Sequence, residues 1–484
     1  MRFGPAARIE YARRHRSHRP MNLHLTLLLA YGALMVGIGL YIGRRVQSAG
    51  DFFVAGRTLG PGLLFATMVA ANIGAGSTVG ASGLGYRDGL SAWWWVGSAA
   101  MGSLVLAFAI GPRVWRIARD RDLRTVGDFL EHRYGRSVRA VITLLLWIGT
   151  LAILAGQLIA LSWVLHVVAG VPKPIGCLVG GLVVTIYFTA GGLLTSAWVN
   201  LVQVVVKLFG FGVALPLAIS RAGGLTGLVA ATPGGDYWSP WQGGGSGWNY
   251  LALLAPAFMV SPGLLQKVYG ARDARAVRLG VAANAGVLLL FSPVPALIGM
   301  AARALHPGLA NPELALPTVL MQDLPPLLGS LGLAAVVSAE ASSADAILFM
   351  LATSLSQDLY RGYLRPAATD TEVLRVARLA AVAGGTVGVL LAVVSPTVIG
   401  ALSIFYSLLG VSLFVPVVAG LYVRRAGTPE ALAAIAGGVA VMLAVRFATE
   451  GHGYGVVSPA LAGLIASAAA GGAVLALRRR PAAL

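Results

Sequence analysis

In the stretch SAEASSADAILFM, Ala339, Ser342, Ser343 and Ala346 recur at i, i+3, i+4 and i+7, so they share one face of a helix. Two adjacent hydroxyls beside a freed backbone carbonyl are hard oxygen ligands of low total charge. That chemistry suits a monovalent cation held weakly enough to be released. Serines inside an apolar helix can instead bond back to the preceding turn. Glu340 and Asp345 lie in the same apolar segment, and carboxylates at membrane depth are costly enough to imply function. For Asp345 a helix-end contact or a structural ion pair is the alternative. A second stretch, Asn72 to Gly85, is packed with Gly, Ala, Ser and Thr inside another apolar run. So weak a helix former can break and turn its carbonyls and half-helix ends toward a ligand. On residues alone it reads also as a close-packing face built on Gly76 and Gly80. A phosphate-binding loop is excluded, because no lysine follows the glycines and no strand precedes them.

The elements that position these residues follow from composition. The chain has 484 residues, of which 57% are apolar and only 11% charged, with a mean hydropathy of +0.79; a soluble domain carries about 25% charged residues. An ordinary soluble enzyme is ruled out. The 63 glycines fall within apolar runs, as in polytopic helical membrane proteins. A single cysteine, Cys177, removes any intrachain disulfide or cysteine-built metal cluster, and the seven histidines make no ligand-spaced pair in an apolar segment. The net charge of +18 comes from arginines set between apolar segments, without a basic face carrying interleaved aromatics, so no nucleic-acid partner is expected. The partners expected are the lipid bilayer and a small solute; the oligomeric state is not legible.

Thirteen apolar spans are expected, the first at 23–42, the second at 61–83 and the ninth at 325–354. With the loop after the first span in the cytoplasm, one set of loops holds 24 Lys and Arg against 5 in the alternate set. The positive-inside rule then puts the N-terminus outside and the C-terminus inside, in the cell (inner) membrane. Residues 1–20 carry six arginines against that orientation and read as a mis-assigned or disordered extension, with translation starting at Met21. The last span ends seven residues before Leu484, which argues against a fused output domain, and no nucleophile, base or metal group marks a membrane enzyme.

Taken together, SAGDFFVAGRTLGP, AANI with GASGLGYRDG, TVGDFLEHRYG, YFTAGGLLTSAWVNLVQ, PGLLQKVYGARD, ASSADA and SQDLYR make residues 23–480 resemble the sodium:solute symporter family. The resemblance implies an all-α LeuT-type membrane core of two inverted five-helix repeats, 58–221 and 246–423. One peripheral helix, 21–46, precedes it and two, 429–478, follow. It implies sodium-coupled symport of a small solute by alternating access, with a proton-coupled carrier of the same fold or a transporter-like sensor as alternatives. The family's sodium site maps to the carbonyls of Ala70, Ile73 and Ala339 and the hydroxyls of Ser342 and Ser343. A second family site uses an Asp where this chain has Asn200; Asp345 or Glu340 is the substitute expected for a second cation or a proton. Substrate-lining positions map to Asn72, Ser77, Ser261, Gln266, Phe405 and Tyr406, with Trp93 to Trp95 either lining or forming an interfacial belt, and Gln157 is a further polar group in an apolar run. Positions polar in the sugar transporters are apolar or small here, and no arginine lies mid-membrane to clamp a di- or tricarboxylate. A neutral, zwitterionic or monocarboxylate solute remains.

Overall fold

The computed structural model describes residues 23–43, 54–189, 193–242 and 247–478. The expected extension 1–20 and the loop arginines 44 and 45 lie outside them. Among the described residues the chain is helical, with two isolated β-bridges. Ten helical stretches among the described residues are long and apolar enough to cross a membrane, against the thirteen expected; shorter apolar helices lie at Leu23–Ile38, Pro61–Asn72 and Lys173–Ile186, the second being the first half of the expected span 61–83.

After α1 (Leu23–Gly43), α2 (Pro61–Asn72) opens on a proline at N1 and stops where Ile73 turns extended. A single 3-10 turn, Ala75–Ser77, separates it from α3 (Val79–Asp88). The break falls on the run of poor helix formers from Gly74 to Thr78. At Gly89 the chain turns with φ +77, and a Cβ would stand 1.9 Å from the Tyr237 carbonyl oxygen, so only glycine fits. There follow α4 (Trp93–Val105), a π-helical turn, α5 (Gly111–Asp120), the short amphipathic α6 (Val126–Tyr134), α7 (Arg136–Ala169), α8 (Lys173–Thr189), α9 (Leu193–Arg221) and α10 (Gly224–Ala231).

The second half repeats the order. A broken helix comes first again: α11 (Gly247–Val260) and α12 (Pro262–Tyr269) are split at Ser261, which precedes a proline and leaves helical geometry with ψ 123. Next are α13 (Ala274–Phe291), α14 (Pro293–Leu305), α15 (Ala315–Gln322), α16 (Pro326–Thr353) with its π-helical exit Ser354–Leu364, α17 (Asp370–Val394) and α18 (Val398–Tyr422). The antiparallel pair α19 (Thr428–Ala448) and α20 (Pro459–Leu477) closes the chain against α18.

Packing sorts these helices into two groups. The broken helices and their followers interlock, α2 on α13, α3 on α14 and α4 on α11, while α7, α8, α16 and α17 pack among themselves. Helix α9 bridges the groups by packing on both α16 and α2. The break in α2 therefore faces α16 at the junction.

At one end of the bundle the TVGDFLEHRYG motif clamps α16. Thr125 caps α6 in a reciprocal box with Asp128, and its hydroxyl donates to Asp358 on the α16 exit. Arg139 donates to Asp358 at 2.9 Å, pairs with Asp128 at 3.0 Å and also reaches Glu131. In the loop before α15, the buried Glu313 accepts from the Trp163 indole at 2.9 Å and from the Val398 amide at 2.6 Å, and burial pushes its carboxyl above the usual range.

Arg139 is 7% exposed and is met by three carboxylates. Arg139→Gln, which leaves them facing one another, should cost about 3 to 5 kcal/mol and lower the melting temperature in detergent. Arg136→Gln, at a side chain 71% exposed, should change it by no more than about 1 kcal/mol. Equal shifts in the two variants would show that the clamp contributes nothing.

Candidate functional site

Where α2 ends, the carbonyls of its last turn have no helical acceptor role left to fill. They point at α16. The Ser342 hydroxyl lies 2.9 Å from the Ala70 oxygen and 3.1 Å from the Ala339 oxygen, and the Ser343 hydroxyl lies 3.0 Å from Ala70 O and 3.3 Å from Ile73 O. The five groups expected to form a cation cage thus come together, from two helices far apart in sequence. Close approach is enforced at Gly74, where a Cβ would sit 2.2 Å from Ser343 Oγ and 2.8 Å from Gln157 Oε1. Gln157 holds the break from the α7 side by accepting from the Ala75 amide at 2.9 Å. Gly76 and Gly80 pack on Leu402 and Ile399 of α18, so the stretch is both a break and a small-residue packing face.

The cage contains a cation that the sequence reading overlooked. Lys207, on α9, is wholly buried and donates to Ser342 Oγ at 2.6 Å, to Ile73 O at 3.2 Å and to Ala70 O at 3.3 Å. Glu340, also wholly buried, accepts from the Thr78 hydroxyl of the break. The signal was present in the sequence. Of the 36 Lys and Arg, six lie in residues 1–20 and 29 lie in loops or near the ends of apolar spans, which leaves Lys207 alone at the middle of one.

A second polar cluster lies one turn further along α16, where it again meets α9. Ser196 on α9 donates to Asp345 and accepts from Asn200 at 3.1 Å, Asn200 also reaches Thr67 at 3.4 Å, and Asn200 Oδ1 is buried without a hydrogen-bond partner among the described residues. Asp345 and Asn200 are therefore neighbours. Glu340 is not part of that group.

Beside the break is a cavity of about 60 Å³, room for a few waters at most, lined by Asn72, Ser77, Gln157, Ser261, Phe405 and Tyr406 together with Lys267 and Ser343. Six of the seven expected lining positions are here. Gln266 is not; its amide donates to Thr353 at 3.0 Å, outside the cavity. Lys267, counted by sequence among loop charges, is instead 2% exposed on α12, and the charge acting on it is that of Asp345. Of the tryptophans, Trp95 packs edge-on to Tyr250 and Tyr406, whereas Trp94 stacks on Trp241 and Trp241 on Trp248.

A cation cage at a broken helix, held between two groups of helices and opening on a small cavity, defines a secondary transporter. The family model of the sodium:solute symporter family matches residues 52–438, and the chain belongs to that family. The sodium/pantothenate symporter of Escherichia coli is 29% identical over 91% of this chain and 94% of its own. The sodium/glucose cotransporter of Vibrio parahaemolyticus is 24% identical over 76% and 74%. A sodium-coupled sialic acid symporter in a substrate-bound outward-open state superposes with TM-score 0.81 over 94% of this chain and 98% of that one, at 18% identity. The nucleobase-cation symporter Mhp1 does so at 0.60 over 89% and 94%, at 17% identity. The fold is the LeuT type. Family and relatives are multi-pass membrane transporters and not enzymes, and sodium is the coupling ion by which both are named.

Gly74→Ala should force Ser343 and Gln157 away from the break and cost about 1 to 3 kcal/mol, read as a lower melting temperature. Gly62→Ala, with nothing within 4 Å of the new Cβ, is the control and should melt like the parent. A Gly74 variant as stable as that control would mean that the break is loosely packed.

Proposed function

We propose that this chain is a symporter that carries a small organic solute bearing a carboxylate, a monocarboxylate or a zwitterion, through the cavity beside the α2 break by alternating access. The observation that carries the reading is Lys267, a buried ammonium lining a cavity whose other walls are amides, hydroxyls and aromatic rings. A carboxylate would find there a charge-assisted donor and several neutral ones. Asp345, the acid acting on Lys267, does not line the cavity. The cavity is too small for such a solute in this state, so the walls must part, and the two packed groups meeting at the cage supply the hinge.

The repeats run over 58–221 and 246–423, and the chain sits in the cell membrane with its C-terminus in the cytoplasm, on the strength of the loop charges. Two groups of oxygens face a cation here: the cage of Ala70, Ile73, Ala339, Ser342 and Ser343, into which Lys207 already reaches, and the cluster of Asp345, Ser196 and Asn200, which is open to sodium, the ion of the family. A second reading, coupling to protons through the same fold, is favoured by one observation, that the cage already holds an ammonium.

The test is uptake into proteoliposomes from a library of labelled monocarboxylates, zwitterions and neutral solutes, under an imposed sodium gradient and then under a pH gradient. At least one carboxylate-bearing solute should accumulate and should also raise the melting temperature of the parent protein. Lys267→Met should abolish both effects, a loss of roughly 10-fold to 100-fold in affinity for one charged hydrogen bond. If no solute accumulates under either gradient, the reading fails; if only neutral solutes do, the assignment of Lys267 fails.

A further inference from the structure

Every cation cage needs its cation, and here the chain supplies one. The Lys207 Nζ has three acceptors, Ala70 O, Ile73 O and Ser342 Oγ. The Ser342 proton is committed to Ala70 O or Ala339 O, so Ser342 receives from Nζ, and the two carbonyls can only receive. Three donated protons are the inventory of an ammonium. The side chain is wholly buried, and its Nζ has all three partners within the cage.

A second cation on the same oxygens would stand within about 3 Å of Nζ. Even at an effective dielectric of about 20, two unit charges that close lower affinity roughly ten-thousand-fold. The fit is built from three sides. Helix α9 packs on both α2 and α16, which brings residue 207 to the junction. The α2 break frees the carbonyls, and Glu340 of α16 holds the far side of the break by accepting from Thr78.

We propose that Lys207 is a tethered cation that replaces sodium in the cage of Ala70, Ile73, Ala339, Ser342 and Ser343, so that this carrier binds no free sodium there. The cage presents oxygens suited to a free cation and fills them with one tethered to the chain. Any sodium the carrier uses binds elsewhere, the Asp345, Ser196 and Asn200 cluster being the other group of oxygens facing α9. The proposal deepens the transporter reading, on which it rests, and is tested without a solute.

Radioactive sodium binding to the purified, detergent-solubilised protein, by scintillation proximity, is compared in the parent, Lys207→Ala, Ser343→Ala and the double variant. Lys207→Ala should gain a sodium site, at least 10-fold tighter than anything the parent shows at these oxygens, competed by unlabelled sodium and not by choline. The double variant should lose that gain. In the parent, Ser343→Ala should leave whatever sodium binding exists unchanged. A melting temperature that rises in sodium over choline for Lys207→Ala, and by less for the double variant, is the second readout. Sodium binding by the parent that Ser343→Ala removes overturns the proposal, even if Lys207→Ala does not fold. A folded, monodisperse Lys207→Ala protein that gains no sodium site overturns it as well. Neither failure touches the transporter reading, which falls only if no solute is carried.

Discussion

The carbonyls of Ala70 and Ile73 leave the end of a helix in the middle of a low-dielectric bundle, and something positive has to meet them. That requirement organises the surrounding structure. The α2 break exists because Gly74 to Thr78 cannot sustain a helix, yet a broken helix in an apolar setting is stable only where its freed groups are satisfied. Ser342 and Ser343 donate to the carbonyls, Gln157 accepts from the Ala75 amide, Thr78 ties the far side to Glu340, and Lys207 supplies the charge. These partners come from α7, α9 and α16, helices outside the group that contains the break. The polar contacts at the cage are thus also the contacts by which one group of helices grips the other.

Much of this was legible in the sequence, and the reasons are physical. The break showed itself as a run of residues with poor helix propensity, and the α16 face as hydroxyls at helical spacing, because both are local properties. Lys207 escaped because a count of loop charges weighs only residues between or beside the spans, and a lysine at the middle of NLVQVVVKLFG falls outside both sets. Lys267 was misplaced for a related reason. A helix as short as Pro262–Tyr269, following a break, has the composition of a loop, and its lysine was counted with the loop arginines that follow it.

Gln266 marks a different limit. Its neighbour Lys267 faces the cavity while Gln266 turns to Thr353, a difference of one residue on a helix that begins at a proline. Helical phase near a break depends on backbone angles at Ser261, which no spacing rule supplies. The same holds for Asn200 and Asp345. Their proximity runs through Ser196, a contact between α9 and α16 that sequence separation hides.

The stacked indoles of Trp94, Trp241 and Trp248, with centroids 4.4 and 4.7 Å apart, join the first turn of α4 to the connection before α11 and to α11 itself. Chromophores so close share their excited states. The protein therefore carries an intrinsic optical signature in the near ultraviolet, independent of any attached label, and parting that connection from the two helices would erase it.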